Sequence, residues 1–182
     1  ALTLSTLSTG RIKNITITVN SLSKTYAMTG WRVGYAAGPK EVIEAASTFQ
    51  GHVTGNVNSI AQKAGIEALE GTQEKVKQMI TEYKKRRDVM VDGLNSIEGI
   101  NCSTPKGAFY AFPNIKGLYN KTFNGEVLKN DMDVGNFLLD NAHIALVPGV
   151  AFEYPDHIRF VYAKSIDTIK DGIQRMKDAV KL

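Results

Sequence analysis

Between positions 15 and 21 the chain reads ITITVNS, where Ile15, Ile17 and Val19 alternate with Thr and Asn, the two-residue period of a strand. A second run, WRVGYAAG at 31–38, sets Trp31, Val33 and Tyr35 on one face and Arg32, Gly34 and Ala36 on the other. Only about ten residues separate the runs, and a parallel crossover needs about a dozen or more. As sheet neighbours they are therefore predicted to pair antiparallel. Lys24, just past the first strand, and Arg32, just inside the second, then fall at the same end of the sheet.

The period then changes to that of helices. Pro39 is predicted to open a helix at its first position and Gly51 to close it. A second helix is predicted from Ser59 to Glu70, stopped by Gly71. Over 72–98, Val76, Ile80, Tyr83, Met90, Leu94 and Ile97 recur at spacings of three and four, with Arg87 interrupting the seam. A helix of that extent spans about 40 Å, more than a small domain needs, so it is expected to bridge two bodies. The alternative is two helices broken near Asp92-Gly93. Beyond Gly99, strands are predicted in GAFYAFP (107–113), IALVPG (144–149) and HIRFVYA (157–163), with a helix near 133–142. Ser165 is placed to cap a last helix striped by Ile166, Ile169, Ile173, Met176 and Val180. The expectation is an α/β to α+β chain in three parts: 1–71, with two strands and helices; the long helix 72–98; and a compact α+β domain at 99–182.

Composition narrows the function classes. The 182 residues carry a net charge of +4 with 22% charged and 43% hydrophobic side chains, ordinary for a globular protein. The densest basic run, KKRR at 84–87, has no aromatic-rich basic strand beside it, so no nucleic-acid surface is expected. No apolar run approaches the roughly 20 residues of a membrane helix. One cysteine, Cys102, excludes an intramolecular disulfide and a cysteine zinc cluster, and suits a cytoplasmic setting. His52, His143 and His157 show no metal-ligand spacing. The opening ALTLSTLSTG has neither a starting methionine nor a clear period, as if the chain began within a longer one.

The stretch SLSKTYAMTGWRVGY (21–35) concentrates the chemistry. An amine and a guanidinium eight positions apart repel unless an anion sits between them. Ser21, Ser23, Thr25 and Thr29 add hydroxyl donors, the partners a phosphate dianion takes beside an arginine fork. Gly34 and Ala36, beside Arg32 on the predicted strand face, leave room for a planar molecule. A lysine amine next to an anion site can form a Schiff base with a carbonyl compound. Pyridoxal phosphate carries both the aldehyde and the phosphate. A phosphosugar aldolase lysine uses similar parts, so the residues alone leave both open.

The same fifteen residues closely resemble the cofactor-lysine motif of fold-type I, class I/II aminotransferases, most of all the bacterial aspartate aminotransferase branch. The resemblance continues through AAGPKEVIEA (36–45), NSIAQKAGIEAL (58–69), PKGAFYAFP (105–113), LVPGVAF (146–152) and HIRFVYA (157–163), in the family's order. It implies that Lys24 is the Schiff-base lysine and the acid/base for the substrate α-proton. It implies that Ser21, Ser23 and Arg32 hold the phosphate of pyridoxal phosphate, and that Arg159 grips the substrate α-carboxylate. It implies amino acid and 2-oxo acid substrates, no metal, and a homodimer.

The pattern is also incomplete. The family's aspartate for the pyridine nitrogen, its tyrosine, its asparagine and its ring-stacking aromatic cannot be assigned here, and two strands cannot make the family's central sheet. The chain is therefore expected to be the C-terminal half of an aminotransferase, poorly active or inactive alone. EYPD (153–156) is a short link where relatives often carry a longer glycine-rich loop, which bears on how Arg159 is presented. An alanine, aromatic or kynurenine aminotransferase, or a β-lyase, are the alternatives within the class. Outside it stands an inert module that keeps only association surfaces.

Overall fold

The computed structural model describes residues 13–181, and the chain divides into two compact units, Ala1–Gln78 and Met79–Leu182. The opening residues before Lys13 lie outside the described residues.

In the first unit β1 (Thr18–Ser21) pairs antiparallel with β2 (Gly34–Ala37), in the register Thr18↔Ala37 to Ser21↔Gly34. The antiparallel expectation holds. Both strands are shorter than predicted, for local reasons. Lys13–Ile15 winds into a 3₁₀ turn, so the alternation at 15–17 is not yet strand. Thr29–Trp31 forms another, and Arg32 follows with left-handed backbone, φ 54° and ψ 48°. Arg32 therefore does not sit on a strand face, which corrects the sequence reading. Nor is there room beside Gly34: a β-carbon there would lie 2.8 Å from the Asn20 carbonyl oxygen. The glycine admits the partner strand's backbone rather than a ligand.

Residues 22–33 form a closed excursion from the end of this hairpin, beginning with the one-turn helix α1 (Leu22–Thr25). The Leu22 amide donates to the Val33 carbonyl at 3.1 Å, tying the excursion shut. Helix α2 (Lys40–Val53) starts one residue after Pro39, which caps it instead of opening it. It runs through Gly51 and stops at Thr54; Gly55, at φ +71°, takes the turn. Helix α3 (Ser59–Glu70) matches its prediction, with the Asn58 side chain accepting from the amides of Ile60 and Ala61. Leu22, Met28 and Ala61 are the buried apolar side chains described in this unit. Gly65 of α3 brings that helix onto the lysine excursion, since a β-carbon there would stand 3.2 Å from Leu22 Cδ1.

Helix α4 (Glu74–Asn95) is continuous, and the boundary between the units falls within it. The alternative break at Asp92-Gly93 does not occur. In the second unit β7 (Ile158–Val161) is the centre of a three-stranded antiparallel sheet, flanked by β3 (Tyr110–Ala111) and β6 (Val147–Pro148). A two-stranded hairpin, β4 (Thr122–Phe123) and β5 (Glu126–Val127), turns on Asn124 and Gly125, both with positive φ. The sequence reading missed it although Asn-Gly is a strong hairpin signal. Helix α5 (Asp131–Ala142) is capped reciprocally: Asn130 accepts from the Asp133 amide and Asp133 from the Lys129 amide. Helix α6 (Ile166–Ala179) is capped by Ser165 as predicted, and its stripe buries Ile169, Ile173 and Met176. Leu94, Ile115, Phe137, Ile158, Tyr162 and Met176 join α4, α5, α6 and one face of the sheet in a single core.

Candidate functional site

The excursion 22–33 is built to hold polar groups outward. Ser21 ends β1 in extended backbone, and its Oγ accepts from the Ser23 amide at 3.0 Å, capping α1. The same Oγ donates to Ser23 Oγ at 2.8 Å. Behind them Asn20 Oδ1 accepts from the Ser21 amide at 2.8 Å, and Asn20 Nδ2 donates to the Tyr35 hydroxyl at 3.2 Å. These two bonds, which the sequence reading did not foresee, fix the strand end that carries the serines. Lys24 stands in the last turn of α1 and is exposed.

Two non-glycine residues of the excursion, Ala27 and Arg32, have left-handed backbone at φ 54°. Such conformations cost on the order of 1–3 kcal/mol each and gather at ligand sites. Arg32 is exposed, and its Nη1 donates to the Thr29 carbonyl at 3.0 Å. An open cavity of about 680 Å³ beside it is lined by Gly30, Trp31, Arg32, Gln50, Asn58 and Ala61 among others. Lys24, Ser21 and Ser23 do not line that cavity. Ser23, Lys24 and Arg32 thus share one excursion that opens at Ser21, with the two serines bonded to each other.

Arg159 lies in the second unit, on β7 between buried Ile158 and Phe160. Alternation along the strand points it to the face away from the core. There its guanidinium carbon sits 4.6 Å from the centroid of the Tyr110 ring and 4.6 Å from that of Phe152. Its Nε is buried without a hydrogen-bond partner, and no acid pairs with it among the described residues. The guanidinium thus lies over two aromatic rings and keeps one buried donor without an acceptor. Tyr110 and Phe152 were missed in the sequence. The alternation of Tyr110 and Phe112 in GAFYAFP pointed to one; nothing local pointed to Phe152.

The EYPD link is tight. Glu153 and Asp156 both have positive φ, and a β-carbon on Gly149 would lie 2.1 Å from the Tyr154 carbonyl oxygen, so only glycine fits there. Arg87, on the α4 seam, pairs with neighbouring Asp88 at 2.7 Å. His157 Nδ1 donates to the Pro155 carbonyl at 2.9 Å, and the ring stacks on Phe112. His52 and His143 are exposed. No group of three or more candidate metal ligands occurs among the described residues.

The chain is thus a mixed α/β fold with small antiparallel sheets, a polar excursion that carries Lys24 and Arg32, and an arginine, Arg159, lying over two aromatic rings. The profile of the family "Aminotransferase class I and II" matches residues 3–176. An aspartate aminotransferase of Rhizobium meliloti (strain 1021) is 44% identical over 169 residues, 92% of this chain and 41% of its own length. A probable aspartate/prephenate aminotransferase of Rhizobium leguminosarum bv. phaseoli is 43% identical over 163 residues, covering 89% of this chain. The crystal structure of the aspartate aminotransferase from Rhizobium meliloti superposes with a TM-score of 0.89 at 43% identity, over 92% of this chain and 42% of that one. An aromatic aminotransferase from Pyrococcus horikoshii OT3 superposes at 0.84 with 33% identity, over 94% of this chain and 44% of that one. The chain belongs to the class I and II aminotransferases, a family that uses pyridoxal phosphate. It spans about two fifths of the length of the relatives it matches.

Proposed function

We propose that this chain carries the lysine and the carboxylate-binding arginine of a pyridoxal-phosphate-dependent aminotransferase of the aspartate type, acting on amino acids and 2-oxo acids. The observation that carries the reading is the donor set of one excursion. An amine, a guanidinium and two linked hydroxyls share residues 21–35, and that stretch contains no carboxylate. This chemistry fits a phosphorylated aldehyde. Bound pyridoxal phosphate supplies an electron-withdrawing ring that takes up the electron pair left when the α-proton departs.

In this reading Ser21, Ser23 and Arg32 bind the phosphate, the arginine with the guanidinium donors not used on Thr29. The Lys24 amine holds the aldehyde end and then carries the proton to and from the substrate α-carbon. Arg159 binds the α-carboxylate, and a planar fork held between two rings presents that face with little freedom left to lose. The distal side-chain selector is not among these residues. The aspartate preference rests on the named relatives and on the run Met28-Thr29-Gly30-Trp31-Arg32. A homodimer and a cytoplasmic setting complete the reading, the latter supported by a lone buried thiol at Cys102. No helix among the described residues is long and apolar enough to cross a membrane.

The test is reductive trapping. The chain is mixed with pyridoxal phosphate, reduced with borohydride and digested. The expected result is a cofactor-sized mass increase on the peptide containing Lys24, lost in Lys24→Ala and reduced at least about tenfold at low cofactor concentration in Arg32→Ala. Labelling spread over surface lysines would sink the reading. It would favour instead an association module, a role supported by the exposure of Ile15, Val19, Phe49, Val53 and Ile60 in the first unit.

A further inference from the structure

We propose that Asp131 is a positioning residue for Arg159, acting through the backbone turn that carries Phe152. Asp131 is the one charged residue buried among the described residues, 3% exposed at the first position of α5. A carboxylate taken out of water must be compensated. Two things compensate it: the positive end of the helix it starts, and the Val150 amide, which donates to Asp131 Oδ2 at 2.7 Å.

Val150 belongs to the 3₁₀ turn Gly149–Phe152, and the Phe152 ring lies 4.6 Å from the Arg159 guanidinium carbon. That ring is 43% exposed, so burial alone does not hold it in place. The turn holds it; besides the local bonds from the Glu153 amide to the Val150 carbonyl and from the Tyr154 amide to the Gly149 carbonyl, two bonds made by the turn's own amides fix it. One is a backbone bond, the Gly149 amide to the His157 carbonyl at 2.7 Å. The other is the Asp131 carboxylate, the only side chain that accepts from the turn's amides in the described structure. Arg159 depends on the result. It has no acid partner and a buried Nε with no acceptor, so the two rings are what restrain its long side chain. A free arginine gives up rotamer entropy when it is ordered. A guanidinium already ordered by Tyr110 and Phe152 has given up much of that before any anion arrives.

The structural part of the proposal stands on these contacts; its consequence for substrate rests on the reading of Arg159 as the carboxylate arginine. The experiment separates the two. In the ¹⁵N-labelled 182-residue chain the Arg159 Nε–H resonance, assigned by its disappearance in Arg159→Lys, is expected to be ring-shifted and slow to exchange. Phe152→Ala and Asp131→Ala should both move it toward the position of an exposed arginine and speed its exchange about tenfold, while core resonances such as those of Phe137 and Ile158 stay put. Asp131→Asn keeps an acceptor for Val150 and should retain most of the shift. If Asp131→Ala does not fold, Asp131→Asn decides: the Val150 amide and the Arg159 Nε–H should move together, by less than in Phe152→Ala. An Arg159 resonance that stays fixed while the Val150 amide moves, or that ignores Asp131→Ala in a folded chain, overturns the proposal. Adding L-aspartate to the unmutated chain then tests the other reading alone. A saturable shift of the Arg159 resonance supports carboxylate binding, and its absence removes that role without touching the claim about Asp131.

Discussion

At Gly34 the two strands of the first hairpin approach so closely that a side chain has no room, the nearest atom being a carbonyl oxygen of Asn20 at 2.8 Å from a hypothetical β-carbon. Backbone cannot rotate away as a side chain could, so Gly34→Ala should separate the strands. We expect it to destabilise the hairpin by about 1–3 kcal/mol, the usual range for overpacking, read as faster amide exchange at Leu22. Unchanged exchange would refute the close approach. The same residues show what a sequence can disclose. Lys24, Arg32, Ser21 and Ser23 could be singled out in the sequence because an amine, a guanidinium and hydroxyls at that spacing are groups an anion takes. The backbone that presents them was not. Arg32 and Ala27 adopt left-handed conformations that their residue types disfavour, and no local signal announces a conformation imposed by the closing bond from Leu22 to Val33. The aromatic clamp on Arg159 was half hidden for another reason: Tyr110 and Phe152 are far apart in the chain and meet only through β3, β7 and the turn after β6.

Helix α4 presents the contest between propensity and packing. Glycine in a helix interior costs about 1 kcal/mol relative to alanine, so from sequence Gly93 looked like a possible break. The helix runs through it because Gly93 faces α6, where an added β-carbon would lie 2.8 Å from Ile173 Cγ1 and 3.0 Å from Cγ2. These atoms branch directly from the Ile173 β-carbon and sit in the core, so they yield little. Gly93→Ala should therefore be net destabilising: the gain of about 1 kcal/mol in propensity is outweighed by overpacking of about 1–3 kcal/mol. The double variant Gly93→Ala with Ile173→Val, which removes a methyl at the contact, should recover part of the loss in urea unfolding. A more stable single variant would show that the helices separate easily. Long periodic elements such as α3 and α6 were legible to within a residue or two because their caps, Asn58 and Ser165, carry the signal themselves. The two-residue strands β3 and β6 were overextended in the reading, because their hydrophobic alternation continues past the point where hydrogen bonding stops.

On the scale of the molecule the two units differ in how much they bury. The first shields few apolar side chains, and Phe49, Val53, Ile60, Ile66 and Leu69 stand exposed on its helices; the second encloses one continuous core. That core also holds three groups whose ionisation the fold opposes. Burial pushes the Cys102 thiol up, and burial does the same for the Tyr119 phenol, aided by the carboxylates of Asp156 and Asp131. Tyr162 is raised too, chiefly by burial and against the pull of Arg87, and its hydroxyl donates to the Ala108 carbonyl at 3.0 Å. Each is an acid whose folded-state pKa exceeds its unfolded value. Below the ordinary thiol and phenol range, about 8.5 to 10, both states keep these protons and the stabilisation is whole. As pH rises through that range the unfolded chain releases protons that the folded chain retains, so unfolding is increasingly favoured. Urea unfolding of the second unit, followed through the resonances of Phe137 and Ile158, should thus shift to lower midpoints from pH 8 to pH 10. Cys102→Ala should flatten the first part of that decline, where thiols but not phenols ionise. A midpoint that holds steady or climbs across the interval would mean that these groups reach solvent in the folded state, and that the second unit is not the closed core its packing describes.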